Sequence, residues 1–265
     1  MYNVMKAQKY QLIRDNVTYI IFFCGLIFLW ITYLMGAESG RSLSDMKGSG
    51  VVFSGGLSDI PIFLMLVYTT RICGDDLKDK TINYEVLTGK KRRNSYFGRL
   101  FFSVIVGAIV YILFTVLPVC IITSVYGWGH TLPLNEGIMR TALGFIPVIR
   151  MICFFAAITF ITRSYLGAVA LGFLTILIES LIVMISDEGL LPFSIKNLSP
   201  FLSMASSSVI EKYNMKLDYI DGENVQVLKD IMPAGTICMI VLTGLAACVM
   251  FSVAGYAVFK KKDMD

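Results

Sequence analysis

Six stretches of roughly 20 apolar residues dominate the sequence, at about 17–36, 52–73, 100–125, 142–162, 165–186 and 235–259. A helix of that length crosses ~30 Å of hydrocarbon. Lipid offers no partner to a backbone N–H or C=O, so a span must satisfy its own hydrogen bonds, and an α-helix does so within one segment. The composition agrees. Apolar types make up 56% of the 265 residues, charged types only 16%, and the mean hydropathy is +0.71. The expected fold is an all-α polytopic membrane protein: six transmembrane helices in a single domain over 1–265. The first apolar run begins near Val17 and lacks a small-residue cleavage site leading into a soluble domain, so it reads as a retained span.

The basic residues set the expected orientation. With the N-terminus inside, the inner segments carry fifteen Lys and Arg, eight of them between Arg71 and Arg99, and the outer segments carry seven. That asymmetry places both termini in the cytoplasm and the chain in a cell membrane as a multi-pass protein. Arg140 is counted among the outer-segment cations. Two connections exceed a plain turn. Residues 74–99 lie inside. Residues 187–233 lie outside, and their alternating apolar and polar patches predict a helical extracellular segment with a polar lobe over 212–229.

The net charge of +4 is accounted for by this topology, so no nucleic-acid partner is expected. A single His disfavours a His-ligated metal site or a His-based triad. The six cysteines lie in or beside apolar segments, form no CxxC pair, and read as small buried hydrophobes. No HExxH motif is present. Asp75, Asp76 and Asp79 spell the DDxxD of diphosphate-binding membrane enzymes, but no second acidic cluster lies on the same side. No catalytic residue, metal ligand or cofactor of the chain's own is expected.

The cytoplasmic segment carries the most structure. Asp75 and Asp76 follow Gly74, which suits a helix N-terminus, where carboxylates cap free N–H groups and favour the dipole. The run Leu77–Thr88 has no Pro or Gly, and Gly89 ends it before the basic cluster Lys90–Arg93. Such a helix either docks into a partner or is a charged connector at the membrane surface.

Read together, Asp76-x-x-x-x-Thr81-Ile82 and Leu87-Thr88-Gly89-x-x-Arg92-Arg93-x-x-x-Phe97-x-Arg99 resemble the intracellular loop of type-2 ATP-binding-cassette (ABC) transporter permeases. The six-span layout and the long segment before the sixth span are similar too. Lys80 stands where that family commonly has Gly, and Lys91-Arg92 where it has Ser-Arg. The resemblance implies a coupling helix, with Asp75, Asp76, Lys80, Thr81, Tyr84, Glu85, Arg92 and Arg93 set against a separate ABC ATPase subunit. That partner would bind ATP and Mg. The chain has no G-x-x-x-x-G-K-[S/T] loop, since Tyr84 stands five residues before Gly89-Lys90 where the first glycine belongs. A six-span permease is half a pathway, which implies a second copy or a related permease. The implied activity is export across a bacterial cytoplasmic membrane, with an antimicrobial peptide or a hydrophobic drug as cargo. The alternative is a membrane-embedded immunity or scaffold protein that binds a peptide through 187–233 without transport.

Three ionisable groups fall inside spans: Asp59, Arg150 and Glu179. By rise per residue, Arg150 and Glu179 both sit roughly 10–12 Å below the outer boundary. A lone charge there costs on the order of 3 kcal/mol on insertion scales, which an ion pair would reduce. Such a pair would line a substrate path, lock a dimer, or simply orient two helices. Pro61, Pro118 and Pro147 are expected to kink their helices, and Val4, Met5, Leu12 and Ile13 to make residues near the N-terminus an amphipathic surface helix.

Overall fold

The computed structural model of the protein describes residues 2–38, 47–53, 60–78, 87, 89, 91–130, 132–187, 215–220, 223–228 and 231–261. It is helical apart from one short hairpin. In chain order the elements are α1 (Tyr2–Arg14), α2 (Asn16–Glu38), α3 (Gly48–Phe53), α4 (Ile60–Lys78), α5 (Arg92–Tyr111), a π-helical turn (Ile112–Val116), α6 (Leu117–Tyr126), α7 (Leu134–Leu143), α8 (Phe145–Thr162), α9 (Tyr165–Asp187), β1 (Met215–Ile220), β2 (Glu223–Leu228) and α10 (Ala234–Lys261).

Four helical stretches are long and apolar enough to cross a membrane: Arg92–Tyr126, Leu134–Thr162, Tyr165–Ile182 and Ala234–Lys261. The bent pair Tyr2–Arg14 and Asn16–Ile31, with 69° between its arms, brings the number to five if it is counted as one span. The second expected span, 52–73, does not meet the same criterion among the described residues. Its described part is α4, whose apolar run from Ile60 to Thr70 is followed by Arg71, Asp75, Asp76 and Lys78. Residues 54–59, with Asp59 and the Gly55-Gly56 pair, lie outside the described residues.

The central element is α8. Met151, Ile152, Phe155 and Ala156 are fully enclosed, facing α4, α5 and α10. The main core gathers Leu64, Met65, Leu66 and Ile72 of α4, Phe102, Val106 and Val110 of α5, and Leu29 of α2 around them. By contrast α2, α9 and α10 turn long apolar rows outward, among them Phe23 and Ile27, Leu174 and Leu177, and Leu242 and Val249. In water such rows would be a large penalty. Facing lipid tails they cost nothing, as expected of a membrane-spanning protein.

Pro61 sits at a helix start rather than at a kink: it is the second residue of α4, where no intrahelical donor is lost. Pro147 lies within the stretch Leu134–Thr162, three residues after the interruption at Gly144 that divides it into α7 and α8. Pro118 stands inside a continuous helix, and the π-helical turn just before it absorbs the missing hydrogen bond.

The segment 187–233 departs from the helical expectation at 215–220 and 223–228. There the chain forms an antiparallel hairpin in which Met215 pairs with Leu228 and Ile220 with Glu223. The register leaves two residues between the strands, and the sequence supplies Asp221-Gly222, the pair favoured for tight hairpin turns. Strand-forming Tyr, Ile and Val residues flank it. Residues 188–214, where further helices are expected, lie outside the described residues.

Candidate functional site

One end of the bundle collects α1, the last two turns of α4, the first two turns of α5, the α8–α9 turn and the end of α10. Helix α4 does not break at Gly74, as the sequence suggests. It runs through to Lys78, so Asp75 and Asp76 lie in its last turns and not at a helix N-terminus. The reason is packing. A Cβ on residue 74 would stand 2.9 Å from Cβ and 3.1 Å from the backbone Cα of Tyr165. Gly74 therefore lets α4 and the start of α9 touch, while α4 continues.

Carboxylates at a helix C-terminus oppose the dipole, so they need cations. The structure supplies two. Arg99 of α5 is 1% exposed and reaches Asp76 through Nε at 3.0 Å and Nη2 at 2.5 Å. Its other nitrogen, Nη1, donates to the hydroxyl and to the carbonyl oxygen of Ser95. Gln8 of α1, also buried, donates from Nε2 to the same Asp76 carboxylate at 2.5 Å. Arg71 bridges Asp15 at 2.8 Å and faces Asp75 one turn away at 3.6 Å. Asp15 in turn caps α2, accepting from the backbone N–H of Val17 and the hydroxyl of Thr18.

These contacts tie α1, α2, α4 and α5 together. Helix α1 is thus more than a surface helix: Val4 and Gln8 are buried, Met5 and Leu12 pack on the core, and only Ile13 of the expected apolar set faces outward. Each carboxylate in the network is engaged by an arginine. The arrangement joins four helices through buried and half-buried charges.

Burial pushes the Asp75 carboxyl above its ordinary range, with Arg71 pulling it back. The native state therefore holds that proton more tightly than the unfolded chain, and ionising Asp75 lowers stability as pH rises through the raised value. Asp75→Asn is expected to keep or slightly raise the unfolding midpoint at neutral pH. Its advantage should vanish below about pH 4, where the unfolded carboxyl is also protonated. A neutral-pH loss in Asp75→Asn as large as that of Asp76→Asn would contradict this assignment.

Of the remaining expected coupling residues, Arg92 donates from Nη1 to the Lys260 carbonyl at 3.1 Å, and Arg93 is exposed. Lys80, Thr81, Tyr84 and Glu85 lie outside the described residues. Leu87 is helical and 81% exposed, and Gly89 has φ +86°, a left-handed conformation suited to a helix end.

Within the spans, Arg150 is buried on α8 and Glu179 half-buried on α9, close enough for the carboxylate to act electrostatically on the guanidinium. Asp59 lies outside the described residues.

At the other end of the bundle lies Arg140, counted above as a segment cation between spans. It is fully buried on α7, with Nε 3.3 Å from Glu136. Trp128 donates to the Leu132 carbonyl at 2.6 Å and packs so close to Gly137 that a Cβ there would lie 2.4 Å from the indole. The backbone N–H of Ser49 in α3 bonds the Trp128 carbonyl at 2.7 Å.

Sequence reasoning did not single out Gln8, Asp15, Arg71, or the Glu136–Arg140 pair as a pair. Glu136–Arg140 and Arg71–Asp75 share i,i+4 spacing, a readable helical signal. Gln8 had no local signal, because its partner is 68 residues away. Among the described residues no three His, Cys, Asp or Glu come together to hold a metal ion. No family model matches the chain, and no curated protein matches it.

Proposed function

We propose that this chain is the membrane-spanning subunit of an ATP-binding-cassette exporter, coupled through residues 74–99 to a separate ATPase. The observation that carries this reading is the buried Asp76–Arg99–Gln8 network. It fastens both roots of that connecting segment, the end of α4 and the start of α5, to each other and to α1. A load on the segment would reach three helices at once rather than being lost in a flexible loop. The close contact of Gly74 with Tyr165 extends the path to α9.

In this reading α4 is the second of the six spans, shortened in its apolar part and shielded by neighbours. It runs antiparallel to α9, with Leu66 against Gly172 and Gly74 against Tyr165. Helix α1 and the end of α10 lie at the cytoplasmic face of a bacterial membrane. A second copy or a related permease completes the pathway, and ATP and Mg are held by the ATPase. An antimicrobial peptide or hydrophobic drug is the proposed cargo.

The test is a pull-down of detergent-solubilised protein from its native membrane, wild type beside a Thr81→Trp/Glu85→Arg variant, with ATP hydrolysis measured on each eluate. An ATPase recovered with wild type and lost with the variant is the expected result. Folded protein without an ATPase in either sample would overturn the transporter reading in favour of a membrane binding protein.

A further inference from the structure

The bundle end that holds Asp76 and Arg99 also carries cations that sequence separates by about 170 residues. The Arg92–Lys260 hydrogen bond sets the first turn of α5 beside the last turn of α10. Lys91, Arg93, Lys260 and Lys261 are all exposed there. The juxtaposition is rigid, because an aromatic cluster lies directly beneath it. The Tyr96 ring centre is 4.6 Å from that of Phe160, 5.6 Å from Tyr256 and 5.9 Å from Phe259, and its hydroxyl donates to the Ser252 carbonyl. These rings join α5, α8 and α10.

The acids described at this end do not neutralise the patch. Asp15, Asp75 and Asp76 are engaged by Arg71 and Arg99. Among the described residues no carboxylate forms an ion pair with Lys91, Arg93, Lys260 or Lys261. Four exposed charges of one sign in one place repel each other unless an anion joins them.

Depth identifies the anion. The cations cap two helices whose lateral surfaces are apolar and exposed within two to three turns: Phe101 on α5, and Met250 and Val253 on α10. A ligand bridging them would have a charged head at the level of Lys260 and apolar tails along α5 and α10. That describes an anionic phospholipid. Polybasic surfaces beside a membrane gain on the order of 1 kcal/mol per Lys or Arg from such lipids.

We infer that Lys91, Arg93, Lys260 and Lys261, gathered by the Arg92–Lys260 contact, form a binding site for the phosphate of an anionic phospholipid at the membrane surface. The inference needs only that these helices lie in a membrane and is independent of the transport reading.

The experiment uses the full chain in neutral detergent, with phosphatidylglycerol, phosphatidylcholine or inorganic phosphate added in turn. Retained lipid is counted by native mass spectrometry, and the thermal midpoint is read in parallel. Wild type should retain phosphatidylglycerol over phosphatidylcholine by about ten-fold or more, as ~1 kcal/mol per cation allows. Lys91→Gln/Arg93→Gln/Lys260→Gln/Lys261→Gln should fall to parity while its midpoint in phosphatidylcholine stays at the wild-type value. If that variant does not fold, Lys260→Gln/Lys261→Gln, at an exposed helix end, should still lose a substantial part of the preference. Equal retention of the two lipids by wild type overturns the inference. So does an unchanged preference in the variants, or equal stabilisation by inorganic phosphate. Loss of a co-purifying ATPase with lipid preference intact would assign the patch to a protein partner instead.

Discussion

Asp76→Ala is expected to lower the unfolding free energy by about 3–5 kcal/mol, the usual cost of stripping one partner from a buried ion pair. Arg99 is almost fully enclosed, and its guanidinium would lose its two bonds to Asp76. Gln8 would lose its acceptor as well, freeing the inner face of α1. The measurement is a denaturant titration in detergent, read by tryptophan fluorescence and by proteolysis at α1. Removing both charges should do less harm than removing one. Asp76→Leu/Arg99→Met ought to recover most of the loss, because two apolar side chains need no compensation there. Under the transport reading the double variant should be folded yet poorly coupled, with substrate-stimulated ATP hydrolysis reduced in the assembled complex. If Asp76→Ala alone proved neutral, neither the buried pair nor the coupling role built on it would stand.

Glu136→Ala is expected to cost about 3 kcal/mol or more for the same reason at the opposite end. Arg140 is fully buried, and Glu136 is its neighbour one helical turn back. The effect should be felt where α7 packs. Tyr111 donates to the Thr141 carbonyl at 2.7 Å, and Leu143 sits in a small apolar cluster with Met232 and Ile240 of the region opening α10. Protease accessibility around 127–132 and 231–234 should therefore rise before global unfolding. Glu136→Gln keeps a hydrogen-bond acceptor and should lose less. A surface cation in an outer loop would predict no change in either variant, so the pair of measurements separates the two placements of Arg140.

The contrast between these two sites shows how far the sequence carries. Around Asp76 the sequence reading misjudged the local geometry. Gly74 looks like a helix break and Asp75-Asp76 like an N-terminal cap, since both are common there. What reverses that is the Tyr165 backbone against Gly74, a contact between residues 91 positions apart. Around Arg140 a cation between two apolar runs looked like loop. The structure buries it because α7 folds against α5 and the Trp128 turn, and no local pattern reports that packing. The hairpin over 215–228 is the opposite case: its Asp221-Gly222 turn signal was present in the sequence and outweighed by a helical reading of the surrounding apolar patches.

By itself the sequence determined that this chain belongs in a membrane and is built of helices. Apolar runs of span length leave few other solutions for the backbone's hydrogen bonds, and that constraint acts locally along each segment. It also determined where charge concentrates between the runs. Only the tertiary structure decided which charges face each other. Asp76 with Arg99 and Gln8, and Lys260 beside Arg92, are pairings between distant segments. Whether an ionisable side chain in a membrane protein is solvated, paired or buried depends on the neighbour that packing brings to it, and that neighbour is not written in the residues on either side.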